Sequence, residues 1–436
     1  MTLNATGAAL NGVAMVSTGG SFVVKPGSFT LSNIVQTSTG TANPGATTPT
    51  GVKFVKAGET FSATVTATTC VASATNCVVA SAPTPNFGKE LTPESVSLTA
   101  TLVTGLNLTN SPPIVCTVCF GAFSGGITSG TDFNWPEVGI ITLTPILKSG
   151  SYLSVSGFTT TGTVSGNVGR FYPDHYNTMI VASATAPIGC GTGLTCPLAY
   201  NGMVYSGQSF SLTINAMNSS DVTTTNFNTT SGFAKTVTLG AYSALGGATS
   251  LSGVGTLSAA SETAFGAGTL TDTTESFAFA TVPTAPTNIY IRATDADGAT
   301  SLRTTSIEGG VAVVSGRVKV SNAYGSELLP LQLAATAQFY NASGSWVPST
   351  TDTLTNLTLL ATYPIGSGTT TATKSPSTGM TAGVLTINLA KPTNGPGSTT
   401  ITPGAPSYLS PYTIPGTATF GIYKGNSSII YLRENY

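Results

Sequence analysis

The chain has 436 residues, of which 7% are Asp, Glu, Lys or Arg, against about 25% in an ordinary globular protein. Fifteen Lys plus Arg spread over that length, with a formal net charge of -1, make no basic stripe for phosphates or an anionic membrane face, which excludes nucleic acid as a partner. With 40% hydrophobic residues the composition is also the opposite of a disordered chain, and the length allows roughly two to four domains.

Read from the start, MTLNATGAALNGVAMV lacks the charged beginning and tight apolar run of a secretion signal, so a removed signal or a longer precursor is expected. Residues 1–19 form an extension whose partial alternation (Leu3, Ala5; Val13, Met15) makes it a candidate donor strand. Beyond it, strand alternation dominates and helical periodicity is nearly absent. In Phe61-Ser-Ala-Thr-Val-Thr-Ala67, the residues Phe61, Ala63, Val65 and Ala67 share one face, while Ser62, Thr64 and Thr66 share the other. That is the pattern of a half-buried antiparallel strand.

A repeat follows. KFVKAGETFSATVTA from Lys53 and GMVYSGQSFSLTINA from Gly202 align without gaps, with Val55/Val204, Gly58/Gly207, Phe61/Phe210, Ser62/Ser211, Thr64/Thr213 and Ala67/Ala216 identical. Pro26 with Phe29 answers Pro173 with Tyr176, and Asn86-Phe87 answers Asn226-Phe227. The expected fold is all-β: tandem immunoglobulin-like antiparallel sandwich modules at 20–165 and 169–305, then a C-terminal β-domain at 311–436. In that last region GRVKVSNAYGSELLPLQLAATAQFY reads as two strands joined by a Tyr-Gly-Ser turn. Residues 362–408 read as loops around GVLTINLA, and the end reads as a hairpin turning at Lys424-Gly425-Asn426. No run of about 18 apolar residues is present to span a membrane. Glu434, in register with Leu432 and Tyr436, breaks the apolar face that a barrel strand needs.

Six cysteines fall into three local pairs, Cys70/Cys77, Cys116/Cys119 and Cys190/Cys196. Among the fifteen possible connectivities, proximity favours these three bridges, each pinning a hairpin or loop and implying an oxidising compartment. The rival reading of Cys116-Thr-Val-Cys119 as a redox or zinc motif lacks a second CxxC, a His cluster and a following helix.

Several segments resemble one bacterial family: NFGKE (86–90), EVGIITL (137–143), GRFYPDHY (169–176), SNAYGSELL (321–329), ATFGIYKG (418–425) and the ending IIYLRENY. Together they are similar to the C-terminal domain of unknown function in MshQ-like proteins, which are associated with the mannose-sensitive haemagglutinin, a type IV pilus. The motif residues are Asn322, Tyr324, Gly325, Glu327, Phe420, Tyr423, Arg433 and Glu434. The resemblance implies a secreted or surface-exposed protein linked to pili or adhesion, and it assigns no catalytic residue. Two departures stand out. The lectin-like domain usual in the family is not among these residues, and a family-type Asp-x-Cys-Thr reads here as Asp352-Thr-Leu354-Thr355.

Little points to hidden chemistry. His175 is the single histidine, and no GxSxG elbow accompanies it. The sixteen acids show no glycosidase pattern. Trp135, in Asn-Trp-Pro-Glu, reads as core or interface packing. Asp295-Ala-Asp297-Gly298 resembles the start of a calcium loop, which makes Asp295 and Asp297 candidate ligands; the competing reading is a β-turn closed by Gly298. Seven Asn-x-Ser/Thr sequons include Asn218 and Asn228. The expected function is therefore non-enzymatic and extracellular: a self-assembling structural subunit of a bacterial surface filament, sheath or pilus-like fibre. Its partners would be copies of itself or pilus components, with a glycan as candidate ligand and no cofactor other than calcium. The alternative is a pilus-associated adhesin or stalk present in few copies.

Overall fold

The computed structural model describes residues 4–6, 16–18, 23–73, 76–105, 111–181, 188–198, 200–409 and 413–421, without the side chains of 4–6, 16–18, 70–73 and 76–81. Among these residues the fold is all-β; the helical content is two single 3-10 turns, Tyr152–Ser154 and Ser407–Leu409. Two units are distinguished: Met1–His175 with Ala216–Lys235 and Ala264–Gly268, and Tyr176–Asn215 with Thr236–Thr263 and Thr269–Tyr436.

In the first unit, the strand Phe61–Ser73 pairs antiparallel with Ser28–Gln36, Asn76–Pro83 and Ile127–Phe133. Val96–Thr104, Gly139–Leu147 and Val168–Phe171 form the second sheet. The alternation works as the residue types dictate. Phe61, Val65 and Ala67 are wholly buried, while Ser62, Thr64 and Thr66 lie half-buried on the outer face. Inward residues of both sheets, among them Phe29, Phe61, Leu102, Ile141, Leu143 and Phe171, share one core with Trp135. Each such large apolar side chain contributes about 1.5–3 kcal/mol by leaving water. Trp135 Nε1 donates to the Pro112 carbonyl (3.1 Å), so its burial strands no polar group.

In the second unit, a six-stranded sheet runs in the order Ile188–Gly189, Gly202–Tyr205, Gly310–Val314, Thr287–Asp295, Val237–Tyr242, Ser261–Glu262. A three-stranded sheet contains His175–Val181, Phe210–Met217 and Thr269–Glu275. Tyr176 Oη donates to Asp295 (2.8 Å), and Thr178 Oγ1 to the Ile291 carbonyl (2.6 Å), connecting the two sheets. The C-terminal region adds Gly316–Val320, Leu331–Tyr340, Val384–Leu389, Gly368–Ser375 and Thr362–Ile365, and a smaller sheet of Ala323–Gly325, Gly416–Phe420 and Gly397–Ile401.

Two local expectations are corrected. Residues 362–408 are not mainly loops; besides Val384–Leu389 they hold Thr362–Ile365, Gly368–Ser375 and Gly397–Ile401. Their Thr residues are β-branched and alternate in burial, which suits a pleated surface better than a coil. The Tyr-Gly-Ser segment is not a plain turn either, because Ala323–Gly325 is itself a strand, parallel to Gly416–Phe420. The expected turn at Lys424–Asn426 lies outside the described residues.

The repeat seen in the sequence has a structural counterpart. Gly58 and Gly207 both have φ +81°, and Glu59 and Gln208 each accept, through the side chain, the backbone N–H three residues earlier: Lys56 at 3.0 Å and Tyr205 at 2.9 Å. Further on, a lock recurs. Thr84 N–H and hydroxyl both donate to the Ala67 carbonyl (2.8 and 3.0 Å), and Thr224 does the same to Ala216 (2.9 and 3.0 Å). Ala67 and Ala216 donate in turn to Gly126 and Gly268 (2.9 and 2.8 Å), and Phe87 and Phe227 pack edge-on against Phe123 and Phe265 at 4.7 and 5.0 Å.

The same backbone circuit appears a third time, in the C-terminal region. Ser349 N–H donates to Ala337 O (2.9 Å), Ala337 N–H to Gly383 O (2.8 Å) and Asp352 N–H to Ser349 O (3.0 Å). Each circuit closes on a two-residue turn with positive φ at both positions: Gly125-Gly126, Ala267-Gly268 and Ala382-Gly383. This is the type I′ geometry that suits the twist of a hairpin. The second position admits only glycine. A Cβ there would stand 2.4, 2.3 and 2.2 Å from the carbonyl oxygens of Thr84, Thr224 and Ser349.

Candidate functional site

The disulfide loops are built from short turns. Cys116 and Cys119 are bridged, three residues apart, on a turn in which Cys119 has φ +64°. Asp132, on the neighbouring strand, accepts the N–H groups of Thr117 (2.8 Å), Val118 (2.6 Å) and Cys119 (3.0 Å). Desolvation pushes the Asp132 carboxyl up, but these donors outweigh it and hold the group below its usual range. Cys190 and Cys196 are bridged across six residues, and the bridge sits against the C-terminal core beside Ile188 and Leu194. Asn288 Nδ2 fixes the loop by donating to the Thr195 carbonyl (2.9 Å). The side chains of Cys70 and Cys77 lie outside those described.

His175 is buried, with Nδ1 2.8 Å from Asp174 and Nε2 3.0 Å from Asp221, while Lys56 pairs with the other Asp174 oxygen at 3.2 Å. Burial raises the Asp174 carboxyl, yet its bonds to His175 and Lys56 win and lower it. Nδ1 is engaged by Asp174, whereas Nε2, though within ion-pair distance of Asp221, is buried without a hydrogen bond.

Asp295 is buried, and both its oxygens are engaged: one by Tyr176 Oη, the other by the Ala299 N–H (3.0 Å). The backbone closes from Gly298 N–H to Asp295 O (3.1 Å). Burial raises the Asp295 carboxyl, with Asp297 adding to the rise. Asp297 is half-buried beside it.

The motif residues are mostly structural joints. Glu137, buried, takes four donors: Val138 N–H (2.8 Å), Asn226 N–H (3.1 Å), Thr225 N–H (2.8 Å) and Thr225 Oγ1 (2.9 Å). Burial still pushes it up. Arg170 Nε donates to the Gly51 carbonyl (2.8 Å). Asn322 Oδ1 accepts the Thr417 N–H (2.8 Å), Gly325 is in register with the fully buried Phe420, and the Glu327 carboxylate lies where a Cβ on Gly421 would be. Tyr324, Leu328 and Leu329 are exposed by 75%, 72% and 62%. Tyr423, Arg433 and Glu434 lie outside the described residues. Asp352 and Thr355, the remnants of Asp-x-Cys-Thr, bond each other (2.6 Å) in the core, with Leu354 packed against it. Asn218 spends its amide on the Pro136 carbonyl (2.9 Å) and is 3% exposed, which closes that sequon to a glycan in the folded chain.

Sequence reasoning missed the third lock and the cluster Glu262, Asp272 and Glu275, whose carboxylate oxygens converge within 4.8 Å. A signal for the lock was present: Phe123-Ser-Gly-Gly, Phe265-Gly-Ala-Gly and Met380-Thr-Ala-Gly share one spacing. No comparable signal marks the cluster, because its members are united only by strand register.

No curated protein matches the chain. Among solved structures, the Escherichia coli adhesin FdeC is similar at 12% identity over 92% of this chain and 98% of that one, with a TM-score of 0.35. The Yersinia pseudotuberculosis adhesin InvE is similar at 14% identity over 72% and 63%, with a TM-score of 0.24. Domains 5–6 of the S-layer protein SbsC are similar at 15% identity over 56% and 100%, with a TM-score of 0.18. Likeness this distant transfers no residue and no activity. Family models are more decisive: those for the second, third and fourth domains of DUF6701 match residues 25–125, 137–313 and 314–435. The chain belongs to the DUF6701 family and carries its second, third and fourth domains.

Proposed function

We propose that the chain is an extracellular, non-catalytic building element of a bacterial surface structure, self-assembling into a filament or sheath. The observation that carries this reading is the threefold recurrence of one lock along the chain, the economy of a tandem array. Two features support it. The polar surface is mostly hydroxyl and amide, with 7% charged residues, and opposes close packing of copies less than a charged one does. The bridges Cys116–Cys119 and Cys190–Cys196 belong to an oxidising compartment. The joining mechanism is strand addition. Among the described residues Val96–Thr104 is hydrogen-bonded along one side only, which makes it an acceptor edge, and residues 1–19 are the donor.

A second reading is a pilus-associated stalk or adhesin of MshQ-like type. It is favoured by the apolar Tyr324, Leu328 and Leu329, exposed within the motif segment. Negative-stain electron microscopy of the purified, oxidised chain separates the two. Regular filaments or sheets are expected; dispersed monomers would overturn self-assembly and favour the stalk. Deletion of residues 1–20 should leave folded monomers, and persisting assembly would rule out strand donation.

A further inference from the structure

Glu262 sits on Ser261–Glu262, the edge strand opposite Val237 in the six-stranded sheet. Asp272 and Glu275 sit on Thr269–Glu275, opposite Leu212 and Phe210. In a regular strand, residues three apart point to opposite faces. Here the register shifts between Phe210 and Leu212, and that bulge re-aims Asp272 and Glu275 toward the same place. One carboxylate oxygen from each of the three residues then lies within 4.8 Å of the others.

Glu275 is fully buried. Its Oε1 accepts Ser258 N–H (3.0 Å), Ser258 Oγ (2.7 Å), Ala259 N–H (3.3 Å) and Ser276 N–H (2.9 Å). Its Oε2 is buried with no hydrogen-bond partner. Asp272 uses Oδ1 for the N–H and hydroxyl of Thr274 (2.8 and 2.7 Å). Among the described residues no Lys or Arg pairs with any of the three. A buried carboxylate oxygen without a partner is costly unless a cation meets it.

We propose that Glu262, Asp272 and Glu275 form a calcium site that ties the edge strand Ser261–Glu262 to the strand Thr269–Glu275. The donor set is all oxygen, which suits a hard cation and not zinc. Oxygens gathered within 4.8 Å of one another on a bulged strand and an edge strand suit calcium, which accepts flexible oxygen geometry at about 2.3–2.6 Å, whereas magnesium, at about 2.1 Å, demands a near-ideal octahedron. Three negative charges against two positive, with water filling the remaining positions, make a site of moderate affinity. Burial, followed by the neighbouring carboxylates, pushes the Glu262 carboxyl up; burial likewise raises Glu275. The site does not depend on how the chain assembles, and it is separate from Asp295 and Asp297.

The test is thermal unfolding of the full, oxidised chain, stripped with chelator and then given millimolar calcium chloride or magnesium chloride. Calcium should raise Tm by several degrees and magnesium by much less. Glu262→Gln and Asp272→Asn, both at partly exposed positions, should abolish the calcium shift while raising the Tm of the metal-free chain, because each removes a like charge. The assignment is overturned if calcium leaves Tm unchanged or magnesium acts equally. It is also overturned if the shift survives both substitutions and disappears in Asp297→Asn.

Discussion

The lock around Ala67, Thr84, Phe87, Phe123 and Gly126 and the lock around Ala337, Ser349, Asp352, Met380 and Gly383 share a main-chain circuit and differ in what fills it. In the first, two phenylalanines meet edge-on. In the last, the phenylalanine position is Asp352, wholly buried and hydrogen-bonded by Tyr205 Oη (2.9 Å), Thr355 Oγ1 (2.6 Å) and the N–H groups of Leu354 and Thr355. The Ser349 hydroxyl, buried beside Tyr205, does not repeat the threonine bond. The comparison teaches that the turn and its backbone bonds define the module, while the side chains answer to local neighbours. Asp352 is tolerated because Tyr205 and Thr355 supply donors, and Tyr205, held protonated far above its usual range by burial and then by Asp352, stays a donor.

The comparison is broken most strongly at the shared glycines. Gly126→Val, Gly268→Val and Gly383→Val each place a side chain on a carbonyl oxygen at positive φ, and each should cost about 4 kcal/mol or more. Urea unfolding should find the three alike; a mild Gly383→Val would show that the third circuit is not equivalent. Next come the fillings. Phe87→Ala and Phe227→Ala should cost about 3 kcal/mol each through the cavity left behind, and Asp352→Ala about 2 kcal/mol by leaving the Tyr205 hydroxyl buried and unpaired. Equal losses in the same unfolding experiment would erase the distinction between aromatic and polar locks.

The smallest effect concerns the Cys116–Cys119 turn. Asp132 has a lowered folded pKa, so its stabilisation is present above the usual 3.8 and is lost as pH falls through the folded value. Asp132→Asn should therefore lower Tm slightly near neutrality and flatten its fall below about pH 4. An unchanged acid limb in a pH series of melting scans would show that the three N–H bonds contribute nothing.

Much of the fold was legible because strand burial has a period of two. Phe61, Ala63, Val65 and Ala67 are the inward face that the alternation announced, and the shared Gly58/Gly207 turn marked the repeat. The third copy escaped because its identities are gone: Leu331 replaces phenylalanine at the strand start, and Leu328 stands where the turn glycine would be. The Thr-rich stretch 362–408 escaped because threonine serves loops and strands equally in composition. The acidic cluster was beyond reach, since Glu262 and Asp272 meet only through the registers Val237–Glu262 and Leu212–Asp272.

The parallel strand pairs also carry a mechanical meaning. Met203–Tyr205 runs alongside Ala312–Val314, and Ala323–Gly325 alongside Ala418–Phe420; among the described residues of the first unit the parallel pairing is the one bridge Lys56–Tyr172. When two strands lie parallel, a pull on the chain entering the earlier one and on the chain leaving the later one drags them past each other, so the bonds between them bear load in shear and yield together. An antiparallel pair pulled from adjoining ends would instead unzip one bond at a time. Loaded in that way, each parallel pair would act as a clasp of several bonds rather than a seam.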